Sequence, residues 1–446
     1  TTMSDGPPPL NLRELAEGLS SPRPPTTPPR VDAPLLGASR LEVLGGWLAS
    51  TQDRDVPAPL DRARLVVFAG DHGIARQDVS RLAPTATADA VRALVAGRGP
   101  TASLAALHGV DVVVHAMAVD DDLADLPAAV TAHAVRRASG DVRVEDALTL
   151  AETEAALRAG AAVADAEVDA GVDLLMLGDL GVGGTTVAAV LVAACLRKGA
   201  VDVVGRGSGI DDAAWMRKTA AIRDAVRRSR RHATRPVVLL QAVGSADTAA
   251  AVGFLLRAAA RRTPVLLDGV VSVAAALVAS RGVPGVERWW ALAARTAEPA
   301  QALAADRLKL DPLLDLGAAR GGGTGALTAL AVLRAAQVLA ASDAADAPPA
   351  PQAPADAPAV DGPAAVDRGA DDEPAPEGEP TGDPSPEVVP GGRPEPEVEP
   401  EPRPQPGPEV PAGHGVPAGP VATGAADEGQ RVGGPAASAD SERPSR

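Results

Sequence analysis

Asp173-Leu174-Leu175-Met176-Leu177-Gly178-Asp179-Leu180-Gly181-Val182-Gly183-Gly184-Thr185-Thr186, followed by an Ala/Val/Leu run to Leu196, is the stretch that decides the fold. Leu174 to Leu177 are four apolar residues in a row, as in a strand buried on both faces. Glycines at 178, 181, 183 and 184 let the backbone turn and let a ligand come close. Thr185 or Thr186 can cap the helix that follows. Strand, glycine loop and helix N-terminus make an anion site, because free N–H groups and the helix dipole favour a phosphate there. The same order also serves as an ordinary βα turn. No Gly-Lys-Ser/Thr follows, so this is not a P-loop. Thr186 stands where a dinucleotide fingerprint needs its third glycine.

Outward from this stretch the pattern repeats. Leu65–Ala69 reads as a buried strand ending in Gly70-Asp71-His72-Gly73. Asp71-His72 suits an acid–base pair or a metal pair. No second His or carboxylate follows at metal-ligand spacing, which favours a turn-stabilising Asp beside a site-lining His. Val110–Val119 reads as a strand before Asp120-Asp121-Asp122, which lacks the spacing of a calcium loop and reads as a solvated acidic turn. Thr149-Leu150-Ala151-Glu152 is a capping box that opens a helix ending near Gly171. Further strands are expected at Asp202–Val204, Val237–Val243, Val265–Asp268 and Trp289–Leu292. The first leads into Gly205-Arg206-Gly207-Ser208-Gly209-Ile210-Asp211-Asp212 and a helix carrying Lys218. Only three lysines occur, at 198, 218 and 309, so Lys218 after a glycine loop suggests a phosphate contact, or else a solvated helix face. A third loop, Arg320-Gly321-Gly322-Gly323-Thr324-Gly325, precedes a closing Ala/Leu helix. Alternating strands and helices over 63–343 predict an α/β fold, a mostly parallel sheet covered on both faces with its site at the strands' C-terminal edge.

The net charge of -16 and the 1% aromatic content exclude a basic nucleic-acid face and base-stacking platforms. Cys195, the one cysteine, sits in an apolar helix and reads as a core residue; a chain without a disulfide framework fits a reducing cytoplasm. Thr1–Pro9 has neither a basic n-region nor an apolar h-region, so no signal peptide is visible. Apolar runs such as Val187–Leu196 are too short to span a bilayer, so no membrane is expected. Residues 1–62 carry a Pro-rich piece, Ser21–Pro34, between two helical patterns, the second at Leu41–Leu48. Residues 344–446 are Pro, Ala, Gly, Glu and Asp with almost no large apolar side chains, and read as a disordered, solubilising tail. The expected division is therefore 1–62, 63–343 and 344–446.

Seven motifs in order resemble the nicotinate-nucleotide–dimethylbenzimidazole phosphoribosyltransferase family over roughly residues 35–343. They are Gly37-Ala38-Ser39-Arg40-Leu41-Glu42; Phe68-Ala69-Gly70-Asp71-His72-Gly73 with Val79-Ser80; the 178–186 loop; the 205–212 loop with Lys218; Leu267-Asp268-Gly269; Ala297-Glu298-Pro299; and Pro312–Gly317 with Gly323-Thr324-Gly325. The resemblance implies a three-layer Rossmann-like domain, a small helical domain from both chain ends, and a homodimer. It implies transfer of the phosphoribosyl group of nicotinate mononucleotide to dimethylbenzimidazole in cobalamin lower-ligand assembly, with no cofactor, metal, nucleic acid or membrane. The competing reading is a degenerate member that binds without turnover.

On the matching positions, the phosphate and ribose fall to Gly181, Gly183, Gly184, Thr185, Thr186, Gly205, Gly207, Lys218 and Thr296. The benzimidazole falls to Ser80, Pro84, Leu180 and Gly322. Asp179, where the family more often has Glu, is placed to stabilise positive charge at ribose C1′. The family's base, the Glu of Gly-Glu-Gly-Thr-Gly, falls on Gly322, which has no proton acceptor. A pocket glutamine falls on Ala90, and a histidine before Ala-Glu-Pro on Ala294. Glu298 or a water is expected to stand in for the base.

Overall fold

The computed structural model describes residues 9–24, 39–317 and 321–345, all within the compact unit Thr1–Ala355. The tail from residue 346, most of the Pro-rich piece and Arg320 lie outside the described residues. Along the chain come α1 (Leu12–Leu15), α2 (Arg40–Thr51), β1 (Ala63–Gly70), α3 (Ala86–Val95), α4 (Pro100–His108), β2 (Asp111–Ala118), α5 (Ala128–Thr131), α6 (Leu150–Asp169) and β3 (Leu174–Leu180). Then follow α7 (Gly184–Leu196), α8 (Ala200–Val203), α9 (Asp212–Ser229), α10 (Pro236–Val243), α11 (Ala246–Ala260), β4 (Val265–Leu267), α12 (Gly269–Gly282), β5 (Trp290–Ala294), α13 (Pro299–Leu308), β6 (Pro312–Leu314) and α14 (Thr324–Ala345).

The six strands are all parallel, in the order β2-β1-β3-β4-β5-β6. Their side chains alternate between two cores, as the period of two requires. Val66, Phe68, Leu175, Leu177, Val265 and Leu267 join the core under α6, α7 and α10 to α13. Leu65, Val67, Leu174, Met176 and Leu266 join the core under α2 to α5 and α14. Three layers result, and the strands read as continuous apolar runs because both faces are covered. Strand order reverses between β1 and β3, so a crevice opens beyond their C-terminal ends.

Local chemistry sets the helix starts. Ser39 with Glu42 and Thr149 with Glu152 form reciprocal capping boxes. Gly171, at φ +81, follows the end of α6. Asp211 accepts the Ala214 N–H at 2.8 Å and starts α9.

Three expectations need correction. Val237–Val243 is helix α10, not a strand; Pro236 presets the first turn, and a continuous apolar run has no period to separate the two. Asp202–Val204 is no strand either, because Ala200–Val203 forms a helical turn and Asp202 accepts the Gly199 N–H at 2.8 Å. Thr185 and Thr186 do not cap α7. Gly183 does, at φ +92, and both threonines fall inside the first turn.

α14 is long and apolar enough, by length and composition, to cross a membrane. Its Ala326, Leu327, Leu330 and Leu333 are instead buried in the core, and Arg334 donates to the carbonyls of Leu60 and His108. Gly45 of α2 lies against Ala336 and Ala340 of α14, so these two helices pack together on one face of the sheet.

Candidate active site

The crevice beside β1 and β3 is lined by the loops expected from the sequence. The segment after β1 supports the glycine loop after β3. Asp71 is a turn stabiliser: its carboxylate accepts from Thr87 Oγ1 at 2.5 Å and from the Asp120 N–H at 2.9 Å. Thr87 Oγ1 in turn accepts the Val182 N–H at 3.1 Å. His72 Nδ1 meets the Val182 carbonyl at 2.9 Å. Its Nε2 lies 3.4 Å from Asp247 Oδ1, with both side chains buried. Val182 is thus held at both backbone groups, fixing the loop that presents Gly183, Gly184 and Thr185.

Burial alone would lower the His72 pKa, but Asp247 and the Val182 carbonyl outweigh it, and the imidazole ends above its ordinary value. Burial likewise acts to raise Asp247, but His72 and hydrogen bonds from Ser245 and Thr248 hold it below the ordinary range. The two make a buried ion pair under the loop.

On one side of the crevice stands a cation. Lys218 of α9 is fully buried and donates to Thr185 Oγ1 at 2.9 Å. Glu298 Oε2 is 4.0 Å from its ammonium, while Glu298 Oε1 accepts the Gly207 N–H at 2.7 Å. Burial pushes the Lys218 pKa down, and Glu298 opposes it. Thr296 spends its hydroxyl on the turn before α13, donating to Gln301 Oε1 at 2.9 Å and accepting the Glu298 N–H at 3.3 Å. Gly205 leaves the room that the Glu298 carboxylate fills. Ser80 Oγ lies 3.1 Å from Ser208 Oγ, tying the β1 loop to the rim of the second glycine loop. Pro84 is exposed on that rim segment.

On the other side stand carboxylates. Asp179 sits at the end of β3, paired in register with Phe68. Burial, then the nearby Asp247 and Asp268, push its carboxyl up to about 7. Asp268, at the end of β4, accepts the Gly325 N–H at 3.2 Å and anchors the start of α14. Burial pushes it up to about 6 against the backbone N–H groups of Gly325, Gly323, Ala326 and Gly269. Gly322 lies at φ +63, and its carbonyl accepts from Thr101 Oγ1 at 3.0 Å. A Cβ there would lie 3.2 Å from Thr101 Oγ1 and 3.5 Å from Leu180 Cδ2.

The expected site residues therefore divide. Thr185, Gly205, Gly207, Lys218, Thr296 and Glu298 gather on the cationic side. Asp179, Leu180 and Gly322 gather on the carboxylate side. Glu298 is engaged with Gly207 and Lys218, and the side chains nearest a Cβ at Gly322 are Thr101 and Leu180. The sequence reading missed Thr87, Thr101, Asp247 and Gln301. Asp247 alone carried a signal, an acidic residue in the first turn after Gly244-Ser245. The Asp71–His72 metal reading finds no ligand set: among the described residues no three His, Cys, Asp or Glu side chains gather to hold a metal ion.

Comparison with known proteins agrees with this geometry. A phosphoribosyltransferase family pattern matches residues 30–347. Nicotinate-nucleotide–dimethylbenzimidazole phosphoribosyltransferase of Mycolicibacterium paratuberculosis is 53% identical over 297 residues, 67% of this chain and 84% of its own. The protein of the same name from Mycobacterium tuberculosis is 54% identical over 296 residues, 66% of this chain and 81% of its own. A solved structure of CobT from Thermus thermophilus superposes with a TM-score of 0.66 at 32% identity, covering 74% of this chain and 95% of that one.

Proposed function

This chain belongs to the nicotinate-nucleotide–dimethylbenzimidazole phosphoribosyltransferase family, and from that membership we propose that it transfers the phosphoribosyl group of nicotinate mononucleotide to 5,6-dimethylbenzimidazole. The products are α-ribazole 5′-phosphate and nicotinate. The observation that carries this reading is the buried Lys218 ammonium, held at Thr185 in the first turn of α7. A buried cation beside a glycine loop and a helix N-terminus recognises a phosphate dianion.

The chemistry runs from that anchor. The phosphate is gripped by Lys218, Thr185 and the N–H groups of Gly183 and Gly184. The bond from C1′ to the nicotinate ring nitrogen breaks, and nicotinate leaves with the electron pair. Positive charge develops at C1′, and the Asp179 carboxylate stabilises it. A benzimidazole nitrogen, held against Leu180 and Gly322, forms the new bond to C1′, and the proton on its other nitrogen is released. With glycine at 322, that proton goes to water. Glu298, engaged with Lys218 and Gly207, shapes the phosphate side. Positioning and charge stabilisation contribute more than the missing base, so the enzyme turns over slowly.

A homodimer is part of the proposal, supported by exposed Val43 of α2 with Val338 and Leu339 of α14. Sedimentation of the full chain as a monomer at micromolar concentration would overturn that part. For the reaction, purified protein is incubated with both substrates and α-ribazole phosphate is detected by mass spectrometry. Nucleotide binding without product would overturn the assignment as an enzyme.

A further inference from the structure

The opposite edge of the sheet, where the strands begin, carries a cavity of about 720 Å³. That volume lies in the range of small-molecule sites. The cavity is lined by Trp47 of α2, Arg281 in the last turn of α12, Arg288, Trp290 at the start of β5, Arg307 in the last turn of α13, and Lys309. Four cations meet there, in a chain of net charge -16. The one acidic lining residue, Glu287, accepts the Gly285 N–H at 3.0 Å.

Elsewhere in the fold many arginines are ion-paired, as at Arg92 with Asp121 and Asp125 or Arg257 and Arg261 with Asp165. Here, among the described residues, no carboxylate lies within 4.0 Å of Arg281, Arg288 or Arg307, and Lys309 reaches only Asp306 at 3.6 Å. Helix C-termini account in part for Arg281 and Arg307, and Arg281 also donates to the Cys195 carbonyl at 3.1 Å. They do not account for Trp290. Trp290 is 2% exposed, and its indole N–H has no acceptor among the described residues. The neighbouring indoles are satisfied, Trp47 by the Arg288 carbonyl at 3.0 Å and Trp289 by the Ser20 carbonyl at 2.9 Å. A buried donor without a partner is rare in native proteins.

We propose that this cavity is a second binding site, for a phosphate monoester, remote from the candidate active edge. The phosphate oxygens accept the Trp290 N–H and the forked donors of Arg307 and Arg288, a geometry guanidinium suits better than ammonium does. The ester's organic part lies along the apolar wall of Trp47 and Leu277. α12 and α13 both end at this cavity, so a ligand here ties their C-terminal ends to β5.

The test titrates the full chain carrying Lys218→Ala, which removes the phosphate grip at the active edge, with adenosine 5′-monophosphate by calorimetry. One stoichiometric binding event is expected. Arg307→Ala and Trp290→Phe, each added to that variant, should weaken it about tenfold or more, the loss of one strong hydrogen bond, while each alone leaves kcat with nicotinate mononucleotide and dimethylbenzimidazole unchanged. Arg307 is on the surface, so its variant reports even if Trp290→Phe folds poorly. Inorganic phosphate should bind more weakly with the same dependence on both residues. No binding event, an event indifferent to Arg307→Ala, or equal affinity for acetate would each overturn the proposal.

Discussion

The two walls of the candidate active site are built on opposite electrostatic terms. On the Lys218 wall each charge has a partner of opposite sign: ammonium beside Glu298, Glu298 beside the Gly207 N–H. On the Asp179 wall the carboxylate has no cation of its own among the described residues: burial first, then the nearby Asp247 and Asp268, push Asp179 up to about 7. A neutralised wall suits a group that arrives already charged, such as a phosphate. A wall of crowded carboxylates is costly when empty and becomes favourable only when positive charge develops against it. Free energy is thus stored where the transition state can use it.

The largest effect should come from removing that stored charge. Asp179→Asn is expected to lower kcat by about 10²- to 10³-fold, the range for deleting one group aimed at developing charge. The same change should raise the melting temperature above neutral pH. The sign follows from the raised pKa: ionising Asp179 costs stability progressively as pH climbs from its ordinary 3.8 toward about 7. At pH 4 the melting temperatures should converge, and at pH 8 the variant should be the more stable. A variant less stable at pH 8 would mean that the carboxylate is satisfied in the free protein. In the wild type, kcat/KM should fall as pH drops through about 7.

Next in size is the opposite wall. Lys218→Ala should cost about 1.5–3 kcal/mol of nicotinate mononucleotide binding, the range for a hydrogen bond to a charged group. Calorimetry measures it, and unchanged affinity would remove Lys218 from the phosphate site.

Gly322 sharpens the comparison, because it faces the carboxylate wall and lacks a side chain. At φ +63 any L-residue there is strained by roughly 1–2 kcal/mol. Gly322→Ala should therefore lose that stability and gain nothing. Gly322→Glu should lose a similar amount and gain about 10- to 100-fold in kcat, at or below the lower limit of general-base assistance because Thr101 crowds the side chain. Equal kcat in both variants would mean that the proton already has another acceptor.

The smallest effect lies beneath both walls. His72→Gln keeps a hydrogen-bonding tip for Val182 but loses the ion pair with Asp247. Because the His72 pKa is raised, the pair's contribution is complete below the ordinary 6.5 and is lost as pH rises through the elevated value. Because Asp247 is depressed, its share is lost only as pH falls below 3.8. The stability gap between wild type and variant should thus be widest near pH 5 to 6 and close on the alkaline side. A gap that widened with pH would show that His72 is neutral.

Much of this was legible in the residues. The strand at Leu174–Leu177 and the capping box at Thr149 rest on interactions a few positions apart, so sequence order alone specifies them. The Lys218 reading began as a count of lysines and ended at a hydrogen bond to Thr185, 33 positions away. Asp247 beside His72 and Thr101 beside Gly322 were not legible, since nothing local marks which distant side chain will arrive.

The sequence by itself determined where strands give way to glycine loops and where helices begin, because caps, turns and periods are local. It determined too that any base at position 322 must come from elsewhere, since glycine carries no acceptor. Only the tertiary structure decided that the apolar run Val237–Val243 is a helix, that Gly183 rather than a threonine starts α7, and that Asp179 titrates near neutrality. Each of those depends on what packs against the segment, and contacts between parts of the chain a hundred residues apart exist only once the sheet has brought them together.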